Sequence, residues 1–298
     1  MSKPLQGTTK VLGIIGHPVR HSLSPLMQNA ALRACGLDYI YVPFEVASED
    51  LGVAIAGLKA LGVAGFNVTI PHKSAVIPYL DELDDSAVAA GAVNTVKNDS
   101  GRLIGFNTDG DGLIRSLADD LDFVPRSHSI VIIGAGGAAR GAIAALCRAG
   151  ARRIIIANRT HDRAAELASD MSDRFSGTEL SIAAGFEDLQ EFLPHVDLLI
   201  NTTSLGMNRE NIPFPRLCAL SPTTRVYDMI YSPCVTPLLC EAARVGLRCA
   251  NGLGMLAAQG ELAFTIWTGK IPPSGLMRSV LDAVYTSQQQ LDNECQSA

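Results

Sequence analysis

The sequence predicts a two-domain α/β protein, and three observations support this prediction. The chain has 298 residues, which exceeds the length that one hydrophobic core usually serves. Short apolar runs alternate with helical segments along most of it, as they do where helices connect parallel strands. A glycine-rich loop, Gly134–Arg140, stands between an apolar run and a helical segment. We therefore expect an N-terminal α/β domain with a mixed, mainly parallel sheet, a doubly wound domain, and C-terminal helices that return to the first domain.

The composition excludes several classes of partner. Hydrophobic residues make up 47% of the chain and charged residues 18%, which is typical of a globular protein. The net charge of −6 argues against nucleic acid or an anionic membrane as a partner. Residues 1–10 are polar, and no apolar run reaches membrane-spanning length. The seven cysteines form no CxxC pair and no metal-ligand pattern, so we expect a reduced, metal-free, cytoplasmic protein, either a monomer or a homodimer.

The first strand and the first helix flank a loop with two candidate binding residues. Val11–Gly16 is a short apolar run that ends in glycine, which predicts a buried strand. A helix is expected from Pro25 to Gly36, with the proline at its first position and the glycine as its stop. Ser24 could cap this helix, or Ser22 and Ser24 could together bind a polar ligand. The pattern favours neither reading.

The stretch Gly65–Lys73 places polar side chains at one strand end. Asn67 and Thr69 alternate with apolar residues, which is the pattern of a strand with two different faces. A helix is expected to begin at Ser74–Ile77. The positive end of that helix would lower the pKa of Lys73 towards the range that is useful for proton transfer. The alternative is an ordinary solvated lysine in a turn.

The other elements follow from the same apolar periodicities. Further strands are expected at Tyr39–Val46, Gly91–Val96, Leu103–Phe106, Ser129–Ile133, Arg153–Ala157, Leu180–Ala183, Asp197–Thr202, Arg225–Tyr231 and Leu247–Ala250. Further helices are expected at Ser48–Leu61 with Ser48 as its cap, Asp81–Ala90, Leu113–Leu121, Gly141–Ala149, Arg163–Phe175, Glu187–Leu193, Pro237–Val245, after Gly254, and at Ser274–Gln290. The last two helices lie outside the strand–helix alternation. We therefore place residues 1–109 and 253–298 in the first domain and residues 110–252 in the second.

Two polar residues lie where the chain is expected to pass between these domains. Asp109 follows a strand and has glycines on both sides, so it could cap the next helix or could orient a catalytic lysine. Gln259 lies on the helix after Gly254, which is too apolar to remain unpacked. If that helix covers the first domain, Gln259 enters the same site as Asn67.

The glycine loop predicts a dinucleotide site. Gly134, Gly136 and Ala139 match the pattern G-x-G-x-x-A, with a strand before them and a helix after them. The glycines let the main chain approach a pyrophosphate, and the helix N-terminus stabilises its charge. Sites for NAD normally have an acidic residue at the end of the next strand, whereas this strand ends at Asn158 and is followed by Arg159. An arginine there can pair with a 2′-phosphate, so NADP is the preferred cofactor, and the alternative is a solvated arginine at a helix start.

Taken together, these motifs resemble the shikimate dehydrogenase family over nearly the whole chain. The stretches that carry the resemblance are Ser22–Pro25, Asn67–Lys73, Gly91–Thr95, Asn107–Gly110, the glycine loop, Asn158–Thr160, Gly252–Met255 and Gln259. The resemblance implies an oxidoreductase that reversibly reduces 3-dehydroshikimate to shikimate with NADPH. This reaction belongs to the pathway that leads to chorismate and the aromatic amino acids.

The resemblance also implies roles for individual residues. Lys73 and Asp109 would form the catalytic pair, in which the lysine moves a proton. The residues that would bind the substrate are Ser22, Ser24, Asn67, Thr69, Lys73, Asn94, Asp109, Tyr231 and Gln259. The residues that would bind NADP(H) are Gly134, Ala135, Gly136, Gly137, Ala138, Asn158, Arg159, Thr160, Arg163, Met229, Gly252 and Asp85.

Two alternative functions stay open at this point. One is a quinate/shikimate dehydrogenase of the same family that uses NAD, and the arginines after Asn158 argue against it. The other is a regulator that binds shikimate and NADP without turnover. Lys73 and Asp109 argue against the regulator, because binding alone does not need a proton donor.

Overall fold

The chain forms two compact units. The computed structural model describes residues 4–183, 188–208 and 216–296. Unit 1 comprises Met1–Thr108 with Ala257–Ala298, and unit 2 comprises Asp109–Leu256. Each unit contains one six-stranded sheet with helices packed on it. The predicted two-domain α/β fold is therefore confirmed.

The sheet of unit 1 is mixed. Its strands are β1 Lys10–Gly16, β2 Tyr39–Glu45, β3 Gly65–Val68, β4 Glu82–Leu83, β5 Thr95–Asp99 and β6 Arg102–Phe106, in the order β2-β1-β3-β5-β6-β4. β1 runs parallel to both of its neighbours, while β5 runs antiparallel to β3 and β6. β3 and β6 therefore point in the same direction as β1. Their carboxyl ends and the amino end of β5 lie at one edge of this sheet.

Helices cover both faces of that sheet. They are α1 Ser24–Ala34, α2 Leu51–Ala60, α3 Asp85–Ala90, the last part of α8 Leu253–Thr268, and α9 Leu276–Gln296. On one face, Phe66 and Val68 of β3 pack with Leu51 and Ile55 of α2 in a buried cluster. On the other face, Trp267 of α8 occupies the space where a side chain at Gly65 would lie.

Unit 2 is a doubly wound domain. Its strands are β7 Ser129–Ile133, β8 Arg153–Ala157, β9 Glu179–Ala183, β10 Leu198–Asn201, β11 Arg225–Asp228 and β12 Arg248–Asn251, all parallel, in the order β12-β11-β10-β7-β8-β9. Its helices are α4 Asp109–Leu121, α5 Gly137–Arg148, α6 His161–Arg174 and α7 Pro237–Arg244. Two buried apolar clusters, one on each face, enclose the central strands.

One predicted helix of unit 1 does not form, and another is shorter than expected. The chain after Lys73 forms turns and a short 3-10 helix, Ile77–Tyr79, instead of an α-helix. Pro78 accounts for this, because it cannot donate the hydrogen bond that an α-helix needs there. The predicted helix Asp81–Ala90 is shorter and begins at Asp85. Its first residues form strand β4 instead, and the Asp84 carboxylate caps the helix by accepting from the Ser86 N–H.

Two further helix predictions need correction. The segment expected at Glu187–Leu193 forms short 3-10 helices at Asp188–Glu191 and Leu193–His195, while residue 187 lies outside the described residues. Ser48 does not cap α2, since a 3-10 turn at Ser48–Asp50 precedes it and no side chain caps its first residue. In the part of the chain that the structure describes, no helix is both long and apolar enough to cross a membrane.

Candidate active site

The predicted substrate residues of unit 1 gather at one edge of its sheet. Ser22 and Ser24 follow β1, and Lys73 follows β3. Asn94 immediately precedes β5, which runs in the opposite direction. Because the carboxyl ends of β1 and β3 and the amino end of β5 share this edge, residues from separate stretches of sequence come together. Ligand sites of α/β sheets commonly lie at such an edge. Thr108 lies there as well, after the carboxyl end of β6.

Asn67, Asn94 and Gln259 belong to one buried hydrogen-bond network. The Asn67 Nδ2 group donates to the Asn94 carbonyl at 3.0 Å and to Thr95 Oγ1 at 3.0 Å. Asn94 Oδ1 accepts from the Thr108 N–H at 2.8 Å. Asn94 Nδ2 lies 3.5 Å from Gln259 Oε1, so a helix from the far end of the sequence contributes to the same cluster. All five side chains are buried, and their amide and hydroxyl groups can bind a polar ligand without adding a net charge.

Lys73 lies beside this network in a turn. Its carbonyl accepts from the Val93 N–H at 2.8 Å, which ties the turn to the residue before Asn94. The preceding His72 is buried, and its Nε2 atom lies 2.7 Å from the Val46 carbonyl oxygen. The main chain on both sides of the lysine is therefore anchored. The helix expected at Ser74–Ile77 does not form, so it exerts no dipole on Lys73.

In the loop between β1 and α1, no side chain caps the helix, so the interpretation of Ser24 as a helix cap is wrong. Ser24 is the first residue of α1 and makes no capping bond, whereas Ser22 Oγ accepts from the Ser24 N–H at 3.3 Å. The side chain of Ser24 is buried. Thr69 lies across from β1, where its N–H donates to the Ile15 carbonyl at 2.9 Å.

Three residues of this cluster were missed from the sequence. Thr95 and Thr108 lie within two of the stretches that carry the resemblance, Gly91–Thr95 and Asn107–Gly110, but neither had been assigned a role. Tyr41 lies in the middle of β2, and its hydroxyl donates to Asn67 Oδ1 at 2.7 Å. Burial raises the pKa of Tyr41 well above its ordinary value, which keeps the phenol neutral. No feature of the strand pattern marks this tyrosine as polar in function.

In unit 2, the glycine loop has the geometry of a pyrophosphate site. Gly134 has a φ of +115°, and a Cβ there would lie 2.5 Å from Thr202 Oγ1, so only glycine fits. Gly136 and Gly137 are exposed, with no atom within 4 Å of the position of a Cβ. Helix α5 begins at Gly137 without a side-chain cap, which leaves the space beside its first N–H groups for an anion. Ala135 and Ala138 complete the loop.

The chain after β8 fits the extra phosphate of NADP. The Asn158 Nδ2 group donates to the Thr160 carbonyl at 2.9 Å, which fixes a tight turn. Arg159 between them is exposed, as is Arg163 in the first turns of α6. No carboxylate occupies the strand end, where one would repel a 2′-phosphate.

Two predicted cofactor residues, Met229 and Gly252, lie close together just after the carboxyl ends of β11 and β12. Met229 follows β11, and its N–H donates to the Asn201 carbonyl at 3.0 Å. A Cβ on Gly252 would lie 2.1 Å from the Met229 carbonyl oxygen, so the close approach of these segments requires glycine. Tyr231, two residues beyond Met229, is half-buried, and burial raises the pKa of its phenol.

Two predicted acidic residues each stand at the first position of a helix. Asp109 is the first residue of α4 and of unit 2, and it directly follows the buried Thr108. Asp85 is exposed at the start of α3 in unit 1, whereas the other predicted cofactor residues belong to unit 2. Among the described residues, no group of three or more histidine, cysteine, aspartate or glutamate side chains could hold a metal ion.

Family profiles match three parts of the chain. They are described as the shikimate dehydrogenase substrate binding domain at residues 14–96, shikimate / quinate 5-dehydrogenase at residues 118–209, and the shikimate 5′-dehydrogenase C-terminal domain at residues 252–281. A shikimate dehydrogenase (NADP(+)) of Geobacter metallireducens is 56% identical over 279 residues, which cover 92% of this chain and 96% of that protein.

Solved structures agree in fold. A crystal structure of a shikimate dehydrogenase in complex with NADP+ has a TM-score of 0.86 and 42% identity, covering 95% of this chain and 98% of its own. The shikimate 5-dehydrogenase of Listeria monocytogenes, in complex with shikimate and NAD, has a TM-score of 0.88 and 34% identity, covering 94% of this chain and 99% of its own.

Proposed function

This chain belongs to the shikimate dehydrogenase family, and we propose that it catalyses the reversible, NADPH-dependent reduction of 3-dehydroshikimate to shikimate. The observation that carries this proposal is the buried amide and hydroxyl network beside Lys73, at a sheet edge of unit 1. A cyclic polyol carboxylate needs neutral hydrogen-bonding partners for its hydroxyls and a proton source for its ketone.

We assign substrate binding to the domain formed by residues 1–109 and 253–298. Ser22 and Ser24 bind the carboxylate, together with Tyr231 from the other domain. The residues assigned to the ring hydroxyls are Asn67, Thr69, Asn94, Asp109 and Gln259. The contact between the Asn94 and Gln259 side chains supports this assignment, because it joins the C-terminal segment to the segment that precedes β5.

We assign NADP(H) to the domain formed by residues 110–252. Bound NADPH supplies the hydride for the substrate carbonyl. The glycine loop and the N-terminus of α5 hold its pyrophosphate, and Arg159 pairs with the 2′-phosphate. The other residues assigned to the cofactor are Asn158, Thr160, Arg163, Met229, Gly252 and, from the first domain, Asp85.

Lys73 and Asp109 are the proposed catalytic pair. As the ketone is reduced, charge develops on its oxygen, and the Lys73 ammonium donates a proton to that oxygen. In the reverse direction the neutral amine accepts the proton from the shikimate hydroxyl. Asp109 orients the reacting groups, and its main chain is fixed because the preceding Thr108 N–H is held by Asn94 Oδ1.

An assay with four combinations of substrates tests this function. The purified chain is given shikimate or quinate with NADP+ or NAD+, and the reduced nicotinamide is followed by its absorbance. We expect shikimate with NADP+ to give a kcat/KM at least roughly tenfold above every other combination, which corresponds to about 1.4 kcal/mol of discrimination. Equal rates with NAD+ and quinate would favour the quinate/shikimate alternative. Binding of shikimate without turnover would favour the regulator.

A further inference from the structure

Thr95, the first residue of β5, is buried inside the hydrogen-bond network of unit 1. Its side chain is 0% exposed, so it acts on a ligand only through its neighbours. In the antiparallel pairing of β3 and β5, Thr95 lies opposite Asn67, and it directly follows Asn94 in the chain. It therefore lies between two residues that are assigned to the ring hydroxyls. None of the roles proposed above involves this threonine.

Main-chain groups fix the orientation of both neighbouring amides. Asn67 Nδ2 donates to the Asn94 carbonyl at 3.0 Å, so a flipped Asn67 amide would place two acceptors against each other. Asn94 Oδ1 accepts from the Thr108 N–H at 2.8 Å, so a flipped Asn94 amide would place two donors against each other. Each amide therefore has a single orientation.

The hydroxyl of Thr95 joins these two amides. It accepts from Asn67 Nδ2 at 3.0 Å, and it lies 3.0 Å from Asn94 Oδ1. An amide oxygen only accepts, so Thr95 donates its single proton to Asn94 Oδ1. The Thr108 hydroxyl lies 3.5 Å from Thr95 Oγ1 and competes weakly for that proton. The hydrogen bonds therefore run in one direction, from Asn67 through Thr95 to Asn94.

This direction decides what each amide offers a ligand. Both N–H bonds of Asn67 are used, so Asn67 meets a ring hydroxyl through Oδ1, which also accepts from the Tyr41 hydroxyl at 2.7 Å. Asn94 Oδ1 accepts from the Thr108 N–H and from the Thr95 hydroxyl, so Asn94 meets a ring hydroxyl through Nδ2. The first amide is an acceptor for the ligand and the second is a donor.

We propose that Thr95 is a positioning residue for ring-hydroxyl recognition. Its hydroxyl holds Asn67 and Asn94 in the arrangement that offers one acceptor and one donor. This inference rests on the proposed function, because that function assigns both amides to ring hydroxyls. Without the hydroxyl, one buried N–H of Asn67 loses its partner and Asn94 Oδ1 loses a donor, so both side chains are held less firmly.

The substitution Thr95→Val tests this role because it removes the hydroxyl and keeps the branched shape of the side chain. We expect the KM for shikimate, and its Kd measured by calorimetry, to rise about three- to tenfold, as for the loss of one buried hydrogen bond. The kcat should change by less than about threefold and the KM for NADP+ should not change, because no reacting group is removed. Thr95→Ser keeps the hydroxyl, and its Kd should stay within about twofold of the wild-type value.

Thr224→Val is the matched control for the loss of a buried threonine hydroxyl. Thr224 lies in unit 2, and its hydroxyl donates to the Val196 carbonyl at 2.6 Å, outside the network of unit 1. This substitution should lower the urea midpoint of unfolding while the Kd for shikimate keeps its wild-type value.

Two analogues separate positioning from a general loss of structure. They are 4-deoxyshikimate and 5-deoxyshikimate, each of which lacks one of the two hydroxyls that do not react. We expect Thr95→Val to raise the Kd of at least one analogue by less than about twofold, because a ligand without the hydroxyl that meets the amides gains nothing from their arrangement.

Three outcomes would overturn this inference alone. They are an unchanged shikimate Kd in Thr95→Val, the same rise in Kd for shikimate and both analogues, and a Kd in Thr95→Ser as high as in Thr95→Val. If the wild-type chain neither binds nor oxidises shikimate, the proposed function fails and the inference fails with it.

Discussion

Lys73 is held in place because the chain makes polar contacts on both sides of it. Its carbonyl is bonded to the Val93 N–H, and the neighbouring His72 contacts the Val46 carbonyl oxygen. The sequence identified the lysine by its place after a strand with alternating polar residues. It predicted the wrong local structure, because the apolar residues Val76 and Ile77 matched a helix start while the effect of Pro78 was overlooked. The position of the lysine shortly after a strand was predictable here, but the turn geometry was not.

The proposed role of Lys73 predicts a loss of turnover more than of binding. Lys73→Ala should lower kcat by roughly two to four powers of ten, the usual effect of losing a general acid or base, with a much smaller change in the KM for shikimate. Steady-state kinetics measure both values. Lys270→Ala, in an exposed loop, is the control and should behave as the wild type. Near-wild-type kcat in Lys73→Ala would remove the lysine from the mechanism.

The proposed role of Arg159 predicts a change in cofactor preference. Arg159→Gln should raise the KM for NADP+ roughly ten- to hundredfold, because a charge-assisted hydrogen bond to a phosphate is lost. The KM for NAD+ should change little, since NAD+ lacks the 2′-phosphate. Arg152→Gln is the control, because Arg152 is also exposed but lies at the opposite end of β8 from Arg159. An equal loss for both cofactors would mean that Arg159 positions the loop without contacting the phosphate.

At the scale of elements, burial decided which predictions succeeded. Strands β7 and β8 were predicted with the bounds that the structure gives, because they are continuous apolar runs buried on both faces. Strand β4 was missed, since it has two residues and begins with the charged Glu82. Such a short strand forms because the adjacent strand β6 supplies hydrogen-bond partners. For example, the N–H of Asp81, just before β4, donates to the carbonyl of Leu103 in β6. Contacts of that kind leave no periodic pattern in the sequence.

The loop between β11 and α7 is organised by a buried carboxylate. Asp228, the last residue of β11, is 0% exposed. Its oxygens accept from Thr236 Oγ1 at 2.6 Å, from Asn201 Nδ2 at 3.0 Å and from the Ile230 N–H at 3.1 Å. Burial raises the pKa of Asp228, and these hydrogen bonds offset part of that effect. The loop that it holds carries Met229 and Tyr231, which are assigned to the cofactor and the substrate.

The raised pKa predicts how stability depends on pH. The pKa of the Asp228 carboxyl is near 3.8 in the unfolded chain and is higher in the folded chain. The folded chain therefore binds this proton more tightly. The stabilisation from this proton is therefore complete below pH 3.8 and is lost as the pH rises through the folded pKa. Relative to Asp228→Asn, the wild-type free energy of unfolding should fall over that interval in urea titrations. The exposed Asp173→Asn is the control, and a difference that grew with pH would contradict the assignment.

At the scale of the whole molecule, the site of unit 1 joins segments from both ends of the chain. The return of the C-terminal helices was predictable, because α8 carries more apolar residues than a free extension tolerates. The contact of Gln259 with Asn94 follows from that packing. The place of Tyr41 was not predictable, because it depends on the register of β2 beside β1, which aligns Tyr41 with Leu12. Register depends on pairing between strands and is not visible in the pattern of one strand.

The last prediction concerns the C-terminal segment as a structural part of unit 1. Phe264, Met277 and Leu281 in this segment are fully buried, and the Gln28 Nε2 group of α1 donates to the Gly260 carbonyl at 2.9 Å. Removing the segment would expose the apolar surface beneath it and remove Gln259 from the network.

A chain that ends after Gly252 should therefore bind no shikimate in calorimetry and should expose unit 1 to rapid proteolysis. A fragment of residues 110–252 should still fold and bind NADP+ weakly, because the sheet of unit 2 and its two apolar clusters remain essentially complete. A chain that ends after Thr286 is the control, since it keeps every side chain of the segment that the structure describes as buried, including Tyr285. If the chain that ends after Gly252 binds shikimate with the affinity of the control, Gln259 is not a substrate residue and the proposed domain division is wrong.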